Sequence, residues 1–257
     1  MDLSKSPRIV RLGREDPRPG VALEDGGVEV WLLEPSPERA RRLVGTLAPD
    51  EVERRERLRT ERARVRFTDV RGCLRAILGG HLAVPAADVA IRYGPHGRPE
   101  LDAAHRSGLE FSVSHSASLA AIAVAAGRPV GLDVEERKPR VRVERLLDAI
   151  LAPRERERFP RLPRDELHGA FIDLWCVKEA CAKLDGRGLS LPLRTIDVDE
   201  PTAPVTRATV GAGGPRCSIS RLPTGARYGG ALALGAPAPR SRGGSTLVGG
   251  HATFAQR

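Results

Sequence analysis

Asp133 and Glu135 stand two apart in Gly131-Leu132-Asp133-Val134-Glu135, a run with strand character. Successive strand side chains alternate faces, so both carboxylates point one way and Val134 the other. Farther along, Glu179 and Lys183 stand four apart in Trp175-Cys176-Val177-Lys178-Glu179-Ala180-Cys181-Ala182-Lys183. Helical spacing puts Trp175, Glu179 and Lys183 on one face. Three carboxylates do not converge unpaired in a folded protein, because repulsion and desolvation both oppose it. A hard divalent cation resolves the conflict. Magnesium takes oxygen ligands, keeps some waters, and fills its remaining positions from substrate phosphates. Lys183, one turn beyond Glu179, is then placed to hold a phosphate oxygen. Taken singly, each pattern has an ordinary surface reading, a solvated Glu–Lys pair or a solvent-facing strand edge. Their combination argues otherwise. The chain has four lysines (Lys5, Lys138, Lys178, Lys183) against thirty-eight arginines, and two of the four fall in this one helix. Where arginine is the default cation, a retained lysine points to a compact point charge.

The elements that must position these groups follow from patterning. Residues 1–20 read as irregular. Gly27 to Leu33 reads as a strand, and Asp50 to Leu78 as an Arg- and Glu-rich helical tract with a break near Thr60. Its basic positions include Arg54, Arg57, Arg62, Arg66 and Arg75, most of them expected on a solvated face. Val89 to Tyr93 is a short strand, followed by a turn-rich loop from Gly94 to Pro99. Phe111 to Ser116 and the small-residue strand Leu119 to Ala126 close the first half. In the second half, Val130 to Glu135 is a strand, and Val143 to Leu151 and Pro153 to Phe159 are helical. A long helix from Arg164 to Lys183 ends at Gly186. Ile196 to Asp199, Cys217 to Leu222 and Ala231 to Leu234 are strands. Both halves close on a small-residue strand, which hints at two related α+β halves around a cleft.

Composition sets the outer limits. A chain of 257 residues, 40% hydrophobic, has room for a large core. No apolar run reaches membrane-helix length, and the start lacks the apolar core of a signal peptide, so a cytoplasmic protein is expected. Cys73, Cys176, Cys181 and Cys217 show no C-x-x-C spacing and predict buried small hydrophobes rather than a zinc site or disulfides. The net charge of +9 calls for an anionic partner, whether nucleic acid, a phosphorylated small molecule or an acidic protein.

Several motifs in order resemble those of the Sfp-type 4′-phosphopantetheinyl transferases, over Leu47 to Leu234. Gly97-Arg98-Pro99 is similar to that family's G-K-P loop, and Phe111-Ser112-Val113-Ser114-His115-Ser116 to its F-N-x-S-H-S. Gly131 to Glu135 resembles G-x-D-x-E, Trp175 to Lys183 resembles W-x-x-K-E-A-x-x-K, and Gly186 to Leu193 resembles G-K-G-L-S-L-P-L. The resemblance implies an α+β fold, a pseudo-twofold pair of similar α/β halves with the active site in the cleft between them. Residues 1–128 would form the half that binds the nucleotide end of coenzyme A and carries the His115 loop. Residues 129–236 would hold the metal site. Outside the family pattern, residues 237–257 are rich in Pro, Gly, Ser and Arg without periodicity and are expected to be a disordered tail.

The implied reaction moves the phosphopantetheine arm of coenzyme A to a serine of an apo acyl or peptidyl carrier protein and releases 3′,5′-ADP. By the same resemblance, Asp133, Glu135 and Glu179 would coordinate magnesium, or manganese in its place, and Lys183 would hold the pyrophosphate. Ser114 and His115 would contact the nucleotide phosphates, Arg98 and Pro99 would border the adenine, and Arg54 and Arg66 would bind the 3′-phosphate. Asp133, Glu179 and Lys183 form the implied catalytic set, with Glu179 as base for the serine or as metal ligand alone. Arg98 and Ser112 depart from the family's lysine and asparagine. No membrane or nucleic-acid partner is implied, and a cleft within one polypeptide favours a monomer. Two other readings remain: a basic nucleic-acid-binding module, motivated by the charge and the arginine-rich 54–75 helix but lacking interleaved aromatics, and a metal-dependent phosphohydrolase using the same carboxylates.

Overall fold

The computed structural model describes residues 6–18, 23–138, 143–157 and 162–237. In chain order these form β1 (Arg8–Leu12), β2 (Val28–Leu33), α1 (Pro37–Leu43), α2 (Pro49–Glu56), α3 (Glu61–Leu82), β3 (Ile91–Tyr93), β4 (Pro99–Leu101), β5 (Leu109–Ser116), β6 (Leu119–Ala126), β7 (Val130–Glu136), α4 (Glu144–Ile150), α5 (Arg164–Asp185), β8 (Ile196–Val198), β9 (Val205–Val210), β10 (Arg216–Arg221) and β11 (Tyr228–Leu234). The class is α+β. One sheet has the order β1-β2-β6-β5, the other β7-β11-β10-β9-β8, and β3 pairs with β4 in a small ribbon. Apart from the parallel β1–β2 pair, neighbouring strands run antiparallel.

Strand alternation builds the layers. Both β2 and β6 are buried on both faces; β6 is a continuous apolar run, whereas β2 carries the buried Glu29 among its apolar residues. Val30 and Leu32 of β2 and Ala121 and Ala123 of β6 pack against Leu132 and Val134 of β7 and Leu232 and Leu234 of β11. The two sheets therefore meet face to face. On the outer face of the first, Trp31, Leu33, Ile122 and Val124 meet Val70, Leu74, Ile77 and Leu78 of α3. On the outer face of the second, Ala231, Ala233 and Ile219 meet Phe171, Leu174, Val177 and Cys181 of α5. Each fully buried leucine or valine in these layers contributes about 1.5–3 kcal/mol over an exposed one.

The alternation of β7 decides where chemistry can occur. Val130, Leu132 and Val134 go to the space between the sheets, which leaves Gly131, Asp133 and Glu135 facing α5. A Cβ on Gly131 would lie 1.9 Å from the Ala180 carbonyl oxygen and 2.6 Å from the Leu184 nitrogen. Glycine there lets the α5 backbone lie directly on β7. The α5 helix stops at Gly186, whose φ of 92° is left-handed. The helical tract breaks where expected, with Thr60 capping α3 by accepting from the Ala63 N–H at 3.2 Å.

Two expectations are corrected, and two elements are found that patterning did not announce. Residues 8–12 are a strand, not irregular; β1 is a half-exposed edge, where arginines interrupt the apolar pattern. The α1 helix went unread because its buried face carries Arg39, whose guanidinium pairs with Asp69 at 2.6 Å and is fully enclosed. The β9 strand, Val-Thr-Arg-Ala-Thr-Val, went unread because only Ala208 and Val210 are buried. Pro153 to Phe159 is not a helix as far as it is described: residues 153–157 form turns, and 158–161 lie outside the described residues. The expected disordered tail also lies outside them from residue 238 onward.

Candidate active site

Asp133 and Glu135 project from β7 toward Glu179 and Lys183 on α5. The Lys183 ammonium donates to Asp133 Oδ1 at 2.8 Å and to the Leu132 carbonyl at 3.0 Å. Ser114 Oγ donates to the same Oδ1 at 2.7 Å, and Ser116 Oγ to Glu135 Oε2 at 2.7 Å. Asp133 Oδ2 and Glu179 Oε1 are buried without any hydrogen-bond partner. Leaving a buried polar atom unpaired costs about 1–3 kcal/mol, and more when it is charged. Burial first, then the charges of Asp133 and Glu135, raise the pKa of Glu179 above the ordinary carboxylate range, with Lys183 opposing. Glu135 is raised as well, mainly by burial and partly by Asp133, while the Ser116 hydroxyl pulls it down.

Such a set suits a cation. Among the described residues no group of three or more His, Cys, Asp or Glu is gathered closely enough to hold a metal ion as it stands. The carboxylates are instead an open set with two unpaired oxygens. That matches a small hard ion that keeps waters and completes its shell from phosphate oxygens.

Beside this set lies a groove made of two hollows that share Pro99 and Val113. One, of about 330 Å³, is lined by Arg54, Arg66, Phe67, Arg71 and His115. Arg54 is exposed, and its guanidinium stacks over the Phe67 ring, 5.5 Å from the centroid. Desolvation, then the Arg66 charge, lowers the pKa of His115, so its imidazole is neutral near neutral pH. The second hollow, of about 200 Å³, is lined by His96, Gly97, Arg98, Pro99, Lys183 and Gly186. Cationic and apolar walls together suit a planar, phosphorylated ligand.

The nominated residues thus fall into two neighbouring groups, carboxylates with Lys183 and groove residues with His115. Two are turned differently from expectation. The Ser114 hydroxyl points at Asp133 rather than outward with His115. Arg98 forks inward, onto the carbonyls of Leu184 (3.2 Å) and Val130 (3.3 Å) and the Glu110 carboxylate (3.3 Å). Lys178, counted with Lys183 as a retained point charge, lies elsewhere. It is fully buried, 2.6 Å from Glu155 and donating to the carbonyls of Ile150, Leu193 and Ile196. Trp175 packs at the edge of the core beside Phe171. Sequence reasoning did not single out Phe67 or Ser116. The spacing of Ser116, two beyond Ser114 on one strand, was the available signal.

Residues 129–233 match the 4′-phosphopantetheinyl transferase superfamily. The chain is 36% identical over 198 residues to the 4′-phosphopantetheinyl transferase HetI of Nostoc sp., covering 76% of this chain and 83% of that protein. It is 30% identical over 157 residues to the putative 4′-phosphopantetheinyl transferase slr0495 of Synechocystis sp., covering 61% and 64%. It is 27% identical over 168 residues to the 4′-phosphopantetheinyl transferase Sfp of Bacillus subtilis, covering 63% and 70%. With more than a third of positions identical to HetI over 83% of that protein, the chain belongs to the 4′-phosphopantetheinyl transferase superfamily.

Proposed function

We propose that the protein transfers phosphopantetheine from coenzyme A to a serine of an apo acyl or peptidyl carrier protein, with magnesium, releasing 3′,5′-ADP. The observation that carries this reading is the pair of buried, unpartnered oxygens, Asp133 Oδ2 and Glu179 Oε1, beside Lys183. Asp133, Glu135 and Glu179 would hold the ion. When bound, magnesium supplies Lewis-acid neutralisation of the pyrophosphate oxygens.

The chain's own residues account for the rest. Lys183, its side chain 28% exposed, offers a second positive charge to the pyrophosphate. Glu179 stands where it can take the proton of the carrier serine, or serve as a metal ligand alone. Arg54 and Arg66 bind the 3′-phosphate, and neutral His115 reaches a nucleotide phosphate by hydrogen bonding. Pro99 and the Arg98 loop border the adenine. In this reading residues 1–128 serve the nucleotide and 129–236 the metal, in a cytoplasmic monomer without nucleic-acid partners. No described helix is long and apolar enough to cross a membrane.

The test mixes purified protein, magnesium and coenzyme A with several apo acyl and peptidyl carriers and weighs the carriers by mass spectrometry. A phosphopantetheine mass gain, lost on chelation, is expected. Consumption of coenzyme A without any carrier, and no mass gain with one, would replace this reading with a phosphohydrolase.

A further inference from the structure

β5 and β7 are edge strands of different sheets and share no backbone ladder. Such edges leave N–H groups without partners. Here serines supply the acceptors. Ser112 Oγ accepts from the Leu132 N–H at 3.0 Å, Ser114 Oγ from Val134 at 3.3 Å, and Ser116 Oγ from Glu136 at 3.0 Å. The three alternate along β5, so they face one way, and they meet alternate N–H groups of β7.

A hydroxyl has one proton and two lone pairs. With a lone pair committed to the β7 backbone, Ser114 sends its proton to Asp133 and Ser116 sends its own to Glu135, each at 2.7 Å. Both bonds are charge-assisted and tie down one oxygen of each carboxylate. The second oxygen of Asp133 stays buried and unpartnered. Ser112 makes the backbone contact without a described carboxylate partner.

The geometry points to Ser114 and Ser116 as positioning residues that fix which oxygen Asp133 and Glu135 present to the cation, while joining the two sheets edge to edge. This assignment rests on the metal reading above. It gives Ser114 a task different from nucleotide contact, and gives Ser116 one that motif matching did not supply.

Ser112 separates the two tasks, since it joins the sheets but aims no carboxylate. The experiment titrates Mn2+ into wild type, Ser116→Ala and Ser112→Ala, with coenzyme A saturating for each protein, because Ser112 also lines the second hollow, and with carrier absent. Free ion is read by electron paramagnetic resonance, and thermal stability without metal is read in parallel. Loss of an outer-sphere partner costs about 10–100-fold in metal affinity, so Ser116→Ala should weaken Mn2+ binding by about tenfold or more. Ser112→Ala should lose thermal stability yet keep the wild-type affinity. Ser116→Cys fills the same space with a weak donor and serves where alanine opens the joint; it too should bind Mn2+ more weakly. Wild-type affinity in the folded Ser116 variants, or an equal loss in Ser112→Ala, would overturn the assignment and leave a purely structural joint. A wild type that takes up no Mn2+ would overturn the metal reading itself.

Discussion

Glu179 is held where its charge is unwelcome: it is 7% exposed, one oxygen has no partner, and two other carboxylates stand near enough to raise its pKa. The sign of its effect on stability follows. Its folded pKa lies above the ordinary 4.5, so between those two values the native state holds the extra proton. Stability from this group is present at low pH and is lost as pH rises through the folded value. Above that folded value the ionised Glu179 therefore destabilises the metal-free fold. Glu179→Gln should raise the melting temperature of metal-free protein at pH 7 to 8, and the gain over wild type should shrink as pH falls toward 4.5. The same variant should lose transfer by about a hundredfold or more, the usual scale for removing a proton acceptor. Magnesium with coenzyme A should raise the wild-type melting temperature more than the variant's. Calorimetry across pH, paired with the mass assay, reads all three. A Glu179→Gln variant less stable than wild type at pH 8 would mean that the carboxylate is satisfied and the site is not built for a cation.

At the scale of the element, α5 carries the face with Glu179 and Lys183 and is seated by two features. Gly131 admits its backbone, and Gly131→Ala should lower stability by about 3 kcal/mol or more, since the new methyl meets backbone rather than a side chain that can move. Denaturant melts read this, and an alanine variant of native stability would show that α5 does not lie on β7 as described. Lys178 ties the opposite side of the helix to Glu155 and to three carbonyls. Lys178→Met strands the Glu155 charge and should cost about 3–5 kcal/mol, while Lys178→Met with Glu155→Gln should cost less. A double-variant loss equal to the sum of the Lys178→Met and Glu155→Gln single losses would show the two side chains to be uncoupled. These neighbours explain what the sequence disclosed and what it withheld. Asp133, Glu135, Glu179 and Lys183 were legible because strand and helix periods alone put them on shared faces. The long α3 and α5 helices and the alternating β2 were legible for the same reason. Lys178 was misread because its partners come from Glu155 and the 193–196 turn, contacts that no local period announces. Arg39 hid α1 in the same way, as a buried charge whose partner Asp69 lies on another helix.

At the scale of the whole molecule, the net charge of +9 acts at a distance that the buried site does not. Arg57, Arg59 and Arg62 are exposed around the joint between α2 and α3, beside the groove that holds Arg54 and Arg66. Exposed charges of this kind steer an acidic partner and speed its encounter, and salt screens them beyond a Debye length of about 10 Å at 0.1 M. The carboxylates and Lys183 are mostly enclosed, where screening is weak. Salt should therefore separate docking from chemistry. With coenzyme A and magnesium saturating, raising salt from about 0.05 to 0.5 M should raise KM for an acidic carrier by about tenfold and leave kcat nearly unchanged. Reversing the charge of Arg57 and Arg62 together should reproduce the high-salt KM at low salt and flatten its further response. Both residues stand outside the two hollows, so coenzyme A binding serves as the internal control. A kcat that fell with salt while KM stayed level would place the electrostatic sensitivity in the metal site, and the surplus arginines would then have no part in choosing the carrier.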